Sequence, residues 1–169
     1  MGAGLRARLP AASVTGRGEV ARGIVDGIRY MVLATADADG RPWGSPVYFA
    51  HEGYREFFWV SSPEATHSRN IAVRPEVGIS VFDSSVPIGT GQGVYMAGVA
   101  EEVLDDPAAE RALEVFSRRS VGHGGRVWNL DDVRGDSGIR LYRAVAGGHS
   151  MLAKDGTPDH RVPVDPLRP

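Results

Sequence analysis

Residues 57–83 read FFWVSSPEATHSRNIAVRPEVGISVFD, and this stretch decides the class of fold. The aromatic, β-branched run at 57–62 and the alternating run at 76–83 are typical of β-strands. Between them the period changes, and Pro63 and Pro75 bracket a short helix, because proline suits a first helical turn and also ends one. The stretch therefore predicts a strand, a helix and a second strand.

The chain before this stretch predicts a three-stranded antiparallel meander over residues 30–62. The run YMVLATAD at 30–37 is rich in strand-forming residues, and the turn ADG at 38–40 joins it to a returning strand at 45–51. A second turn, HEGYRE at 51–56, leads into the aromatic strand of the opening stretch. Short turns of this kind favour antiparallel pairing of consecutive strands.

The rest of the chain predicts two more strands and two more helices. Apolar residues alternate along 94–104 and 138–147, as they do in half-buried strands. Apolar residues recur at helical spacing along 19–29 and 107–119, and the second helix follows an aspartate cap at 105 or 106. The expected apolar faces are Val20, Ile24 and Ile28 in the first helix and Ala109, Leu113 and Phe116 in the second.

The order of these elements predicts a mainly β fold with a few helices, a six-stranded antiparallel split β-barrel. Helices do not alternate with every strand, which excludes a doubly wound sheet, and six short antiparallel strands are typical of barrels. The glycine- and charge-rich segment 120–137 stays unassigned. The tail 155–169 contains four prolines, and we expect it to follow an irregular path.

Composition narrows the classes of function. The 169 residues suit one domain, expected over 15–169 after a disordered tail at 1–14. With 19 basic against 21 acidic residues there is no basic excess for nucleic acid, and no apolar run is long enough to span a membrane. The chain has no cysteine, which excludes thiolate metal sites and fits a cytoplasmic location, and its five histidines show no metal-ligand spacing. We therefore expect no metal, nucleic acid or membrane partner.

The glycine-rich stretch IGTGQG at 88–93 resembles a phosphate loop only superficially. A dinucleotide fingerprint needs a further glycine where Val94 stands, and a helix must follow, whereas the next residues alternate like a strand. Two interpretations stay open. The stretch is either a flexible connection between two strands, or a backbone surface beside a flat ligand, with Gln92 offering amide donors and an acceptor.

A better candidate for binding phosphate lies where the strand at 57–62 ends. Ser61 and Ser62 supply hydroxyls, and the helix that follows presents its positive dipole end. His67, Ser68 and Arg69 fall within the first turns of that helix, and a guanidinium can donate two hydrogen bonds to one phosphate. The alternative is an ordinary capped helix with a solvated basic face.

Taken in order, three stretches resemble the pyridoxamine 5'-phosphate oxidase-like family of flavin-binding split barrels, over roughly residues 20–152. They are YMVLATADADGRPWGSPVYF, the opening stretch, and GQGVYMAGVAEEV. The resemblance implies a homodimer that holds FMN, or in some branches a deazaflavin, in a groove between subunits. It implies a flavin-dependent oxidoreductase with an unknown small-molecule substrate. The alternatives are a protein that binds flavin, deazaflavin or haem without turnover, and a split barrel that has lost its cofactor.

The resemblance also implies roles for particular residues. The phosphate of the cofactor falls to Ser61, Ser62, His67, Ser68 and Arg69. Ser45, Pro46 and Val47 line the isoalloxazine ring, and Gln92 and Gly93 reach its polar edge. Many relatives have lysine where this chain has His67, and the arginine-rich C-terminal segment of true pyridoxamine phosphate oxidases is missing, so that specific activity matches poorly. No catalytic residue is predicted, and Trp43, Tyr95 and His149 are the candidates for contact with substrate.

Overall fold

A curled antiparallel sheet organises the part of the chain that the structure describes, residues 14–167 of a computed structural model. The strands are β1 Tyr30–Ala36, β2 Pro42–Tyr48, β3 Ala50–Glu52, β4 Glu56–Ser61, β5 Glu76–Phe82, β6 Gly93–Glu102, β7 Arg140–Leu152 and β8 Arg161–Val164. The helices are α1 Val14–Gly27, α2 Thr66–Val73, α3 Asp106–Gly122 and a 3-10 turn at Leu130–Val133. None of these helices is long and apolar enough to cross a membrane. The tail predicted at 1–14 lies outside the described residues except for Val14, where α1 begins.

The sheet closes on itself through one bent strand. Its strand order is β2-β1-β5-β6-β7-β4-β3, with β8 added on β7, and every pairing is antiparallel. Only Phe49 separates β2 from β3, so the two ends of the sheet are the two halves of one strand. The first half pairs with β1 and the second with β4. The predicted mainly β, antiparallel split-barrel fold is confirmed.

All six predicted strands are present, and the differences from prediction have local causes. The strand predicted at 45–51 is divided at Phe49 by the bend that closes the barrel. The last predicted strand runs on to Leu152, and the tail expected to be irregular contributes β8 instead. Pro163 lies within β8, which pairs only with β7, and an edge strand tolerates a residue that cannot donate to the ladder.

The protein has two apolar cores, one on each face of the curled sheet. The barrel interior is filled by side chains such as Trp59, Phe57 and Leu33, which are fully buried. The second core lies between α3 and the β3–β4 side of the sheet, and it buries Ala109, Leu113 and Phe116 as predicted. Together the cores fix α3 and the ends of β2 and β4 relative to one another.

The predicted apolar face of α1 is partly wrong. Ala21 and Val25 are fully buried, whereas Val20 is 37% exposed. Ile24 and Ile28 pack against the barrel core, as expected. Since one residue corresponds to about 100° of helix rotation, the buried face is turned toward the small Ala21, which allows closer approach to the barrel.

Arg119 of α3 anchors the end of α1. Its Nη2 donates to the carbonyl oxygens of Val25, Asp26 and Ile28 at 3.0, 3.1 and 2.8 Å. Its guanidinium also lies over the ring of Phe49, 4.8 Å from the ring centroid, at the bend of the closing strand. The last carbonyls of a helix lack partners within it, so a cation here satisfies them and suits the helix dipole.

Candidate cofactor site

A cleft of about 410 Å³ lies between β2, the end of β4, the start of α2, and α3. Six of its nine wall residues are apolar or aromatic, and Ser61 and His67 place a hydroxyl and an imidazole together at the end formed by β4 and α2. The wall residues are Pro46, Val47, Tyr48, Val60, Phe116 and Trp128, and the polar ones are Ser61, His67 and Ser120. The cleft therefore suits a ligand with one polar end and one flat apolar part.

A chain of hydrogen bonds forms the polar end. Trp43 Nε1 donates to Ser45 Oγ at 3.0 Å, and Ser45 Oγ lies 3.1 Å from His67 Nδ1. His67 Nε2 lies 2.8 Å from Ser61 Oγ. His67 and Ser45 are only 7% and 8% exposed. Burial lowers the pKa of His67, so its imidazole is neutral at pH 7.

Local structure explains how these residues meet. Ser61 is the last residue of β4, and α2 starts one turn later, so His67 in its first turn lies back over the strand end. Trp43 and Ser45 are two apart on β2 and share one face of the strand. The N-cap residue of α2 is Ala65, which makes no side-chain cap. The first N–H groups of α2 thus lack a side-chain acceptor, which differs from the ordinary capped helix considered as the alternative.

The structure separates the other predicted phosphate residues from His67. Ser62 Oγ accepts from the backbone N–H of Glu64 at 3.2 Å, and Ser68 is buried beside Tyr142. Arg69 is exposed, donates to the backbone oxygen of Glu64 and lies 3.7 Å from the carboxylate of the same residue. Two positions along a helix are about 200° apart, so Arg69 and His67 point to nearly opposite sides.

The residues predicted to contact the ring are divided in the same way. Pro46 and Val47 line the cleft, but the hydroxyl of Ser45 belongs to the polar end. Gln92 and Gly93 do not line the cleft of their own chain. Residues 83–92 connect β5 to β6, whose first pair is Phe82 with Gly93. The stretch IGTGQG is thus a strand-to-strand connection, and no helix follows it.

Five residues of the cleft wall were not predicted as cofactor-binding, namely Tyr48, Val60, Phe116, Ser120 and Trp128. Trp128 comes from the segment that stayed unassigned. Ser117 holds its backbone, since the serine Oγ accepts from Trp128 N at 2.8 Å and donates to Trp128 O at 3.1 Å. A lone tryptophan in a glycine- and charge-rich segment was the available signal, because such a residue needs a surface to cover.

Tyr48 and His123 form a hydrogen-bonded pair at the cleft wall. The Tyr48 hydroxyl lies 3.0 Å from His123 Nδ1, and the two rings meet edge to face. Burial raises the pKa of Tyr48, against the opposing effect of Arg119 and Arg29. Burial and the same two arginines lower the pKa of His123. Both groups are therefore neutral at pH 7, and the contact is a hydrogen bond between neutral groups.

The three predicted substrate-side residues lie in two places. Trp43 does not line the cleft but donates to Ser45, which contacts His67 at its polar end. Tyr95 and His149 line a second, open cleft of about 700 Å³ on β6, β7 and β8. There the guanidinium of Arg161 lies 3.9 Å from the centroid of the Tyr95 ring.

Comparison with known proteins gives the family. The family model described as pyridoxamine 5'-phosphate oxidase matches residues 18–143. The chain belongs to this family. No curated protein matches the chain. The residues of this chain that match the pyridoxamine 5'-phosphate oxidase family model include the bent strand, the polar end of the cleft and α3.

Solved structures share the fold at low sequence identity. The heme storage protein HutZ from Vibrio cholerae has a TM-score of 0.62 and 22% identity, covering 80% of this chain and 92% of its own. A heme binding protein from Mycobacterium smegmatis has a TM-score of 0.67 and 21% identity, covering 94% and 61%. An F420 reductase has a TM-score of 0.55 and 21% identity, covering 76% and 94%. These likenesses show the fold and leave the ligand open.

Proposed function

We propose that the chain is an FMN-dependent oxidoreductase acting on a small molecule. The observation that carries this proposal is the composition of the 410 Å³ cleft, in which the Ser61 hydroxyl and the His67 imidazole at one end adjoin aromatic and aliphatic walls. FMN has the matching form, with a phosphate at one end and a flat ring system at the other. When bound, the flavin supplies hydride and electron transfer, so the protein needs only to bind, orient and shield it.

In this proposal the polar end holds the phosphate. Ser61 lines the cleft and offers a hydroxyl, and the first N–H groups of α2 favour an anion. His67 lies against Ser61 and, when protonated, adds the positive charge that relatives obtain from lysine. Arg69 can join this group only by leaving its contacts with Glu64.

The wall of the cleft orients the ring. Pro46 and Val47 present the bent strand, while Phe116 and Trp128 contribute aromatic surface and exclude water. Tyr48, bonded to His123, holds a proton at the wall and is placed to pass it to or from a reacting group.

We further propose that two chains associate through the outer face of the sheet. Its central positions are uncharged and mostly small. They form two cross-strand rows, Pro46–Val32–Ser80–Tyr95 and Gly44–Ala34–Gly78–Ala97–Gly148. Phe82 and Val99 add large apolar side chains that are 45% and 57% exposed. An uncharged sheet face of this extent is typical of an interface.

The position of this face supports a cofactor groove between subunits. Pro46 belongs both to the outer face and to the cleft, so a second copy on that face borders the cleft. Gln92 and Gly93, at the start of β6, contribute nothing to the cleft of their own chain. In the proposed dimer, Gln92 and Gly93 contact the flavin bound by the partner subunit.

A second candidate function is a carrier of haem, flavin or deazaflavin without turnover. It is favoured by the names of two fold relatives, a heme storage protein and a heme binding protein. In that case the same cleft holds the group but presents no open face to a substrate.

The test is the identity of the small molecule that copurifies with the protein. We expect FMN by mass spectrometry, a flavin absorption band, and bleaching of that band by NADH or NADPH without oxygen. A flavin that no reductant of this kind bleaches favours the carrier. A Soret band, or a protein that takes up no FMN when it is added, contradicts the proposal.

A further inference from the structure

His67 is enclosed by hydroxyl groups on both of its ring nitrogens. Nδ1 lies 3.1 Å from Ser45 Oγ, and Nε2 lies 2.8 Å from Ser61 Oγ. Ser45 Oγ also accepts the indole hydrogen of Trp43 at 3.0 Å. The imidazole is therefore held in one orientation, and it lines the cleft beside Ser61.

Counting protons shows what this arrangement can do. A neutral imidazole has one N–H, so one nitrogen donates and the other must accept from a serine. When Nε2 accepts, the Ser61 hydroxyl donates its one hydrogen to the imidazole and then has nothing to donate to a ligand. In the protonated imidazole both nitrogens donate, so the Ser61 proton is always free for an acceptor in the cleft. Protonation of His67 thus adds a charge and also secures a hydroxyl donor.

The charged groups around His67 leave its counter-ion to be supplied by a ligand. On its own helix, Arg69 points away and is paired with Glu64. Across the cleft, Arg119 is bonded to carbonyls of α1, and Tyr48 and His123 are neutral. Beside Trp128, Arg126 is paired with Asp132 at 2.9 Å. The strand ends that contact His67 present serines, and Arg140, cross-strand from Ser61 on β7, is paired with Glu102 at 3.7 Å. Burial is the only cause that shifts the pKa of His67 among the described residues.

We propose that the cleft takes up a proton at His67 when it binds a phosphate, so that its affinity for FMN falls as the pH rises. This inference rests on the proposed function and adds a form of regulation, because loading of the cofactor then depends on pH.

The sign of the effect follows from linkage. The pKa of His67 is lowered in the free protein, and a bound phosphate dianion raises it. Below the pKa of the free protein the imidazole is already protonated, so His67 makes no contribution to the pH dependence of FMN affinity there. Between the free and bound pKa values, affinity falls by up to about tenfold per pH unit, because one proton accompanies binding. Above the bound pKa the affinity is constant again.

The experiment compares FMN binding by three proteins between about pH 5.5 and 8.5, with flavin fluorescence as the readout. The wild-type dissociation constant is expected to rise at least about tenfold across this range. His67→Lys keeps a permanent cation, and His67→Gln keeps a neutral hydrogen-bonding group. Both variants are expected to show only the shallow dependence due to ionisation of the FMN phosphate, whose second pKa is about 6.

A measurement on the wild type alone covers the case in which the variants do not fold. Calorimetric titration with FMN at pH 7.5, in buffers of different ionisation enthalpy, counts the protons taken up. We expect net uptake with FMN and none with riboflavin, which lacks the phosphate. Zero uptake, or a pH slope that is the same in all three proteins, overturns the role of His67 but leaves FMN binding intact. Absence of FMN binding at every pH overturns the proposed function itself.

Discussion

At the scale of single residues, geometry separates side chains that the sequence had grouped. Ser61 and His67 could be predicted together because a strand end and a helix start are adjacent in the chain. The hydroxyl of Ser45 could not be placed, because its contact with His67 depends on how β2 bends against α2. Arg69 was grouped with His67 on composition, and the helical rotation directs it to solvent instead.

One prediction concerns the phosphate contact. Ser61→Ala is expected to weaken FMN binding about tenfold or more, because it removes a hydrogen bond to a charged group, worth about 1.5–3 kcal/mol. Arg69→Ala is the matched control and is expected to change the dissociation constant by less than about threefold, as for other exposed surface charges. Fluorescence titration measures both. A larger loss with Arg69→Ala than with Ser61→Ala would show that Arg69 leaves Glu64 and binds the phosphate.

At the scale of elements, the strands and helices that the sequence predicts are those whose apolar pattern is local. The six barrel strands and α3 carry clear apolar periodicity, and the sequence predicted them. β8 was missed because the four prolines of the tail 155–169 indicate an irregular chain, although an edge strand accepts Pro163. The division of the second strand at Phe49 reflects barrel closure, which no local pattern records. In the segment 120–137, Trp128 reaches the cleft because its backbone is hydrogen-bonded to Ser117 of α3, a tertiary contact that no local pattern predicts.

A second prediction concerns the contact between α3 and α1. Arg119→Ala is expected to lower the free energy of unfolding by about 2–4 kcal/mol, since three carbonyls lose a charged donor and Phe49 loses its covering cation. Arg118→Ala, at the preceding residue, is the matched control. Arg118 is 72% exposed and pairs only with Glu114, so the expected loss is below about 0.5 kcal/mol. Urea unfolding of both variants measures the difference, and equal losses contradict the anchoring role.

At the scale of the whole molecule, the family and the fold agree, and assembly is the open property. The sequence predicted a barrel because antiparallel strands dominate. It predicted a dimer only through resemblance, since an outer face becomes visible when β1, β2, β5, β6 and β7 are aligned. Residues such as Gly78 and Ala97 look unremarkable in the sequence, yet they meet at the centre of that face.

A third prediction concerns this face. Ala97→Glu introduces a charge at its centre and is expected to convert a dimer into monomers, because an unpaired charge is costly in an apolar interface. The variant should also lose FMN affinity if the partner borders the cleft. Ala72→Glu, on the exposed surface of α2, is the control and should leave the assembly unchanged. Sedimentation velocity measures the mass, and a wild-type monomer would refute the proposed interface.

The central claim is that the cleft at Ser61 and His67 binds FMN through its phosphate, and one comparison tests it most directly. FMN and riboflavin share the ring and differ in the phosphate, so the ratio of their dissociation constants isolates the polar end of the cleft. At pH 6.5 we predict that FMN binds at least about 100-fold more tightly, equivalent to about 2.7 kcal/mol from charge-assisted hydrogen bonds. Equal affinities for the two flavins, or binding of neither, would contradict the claim.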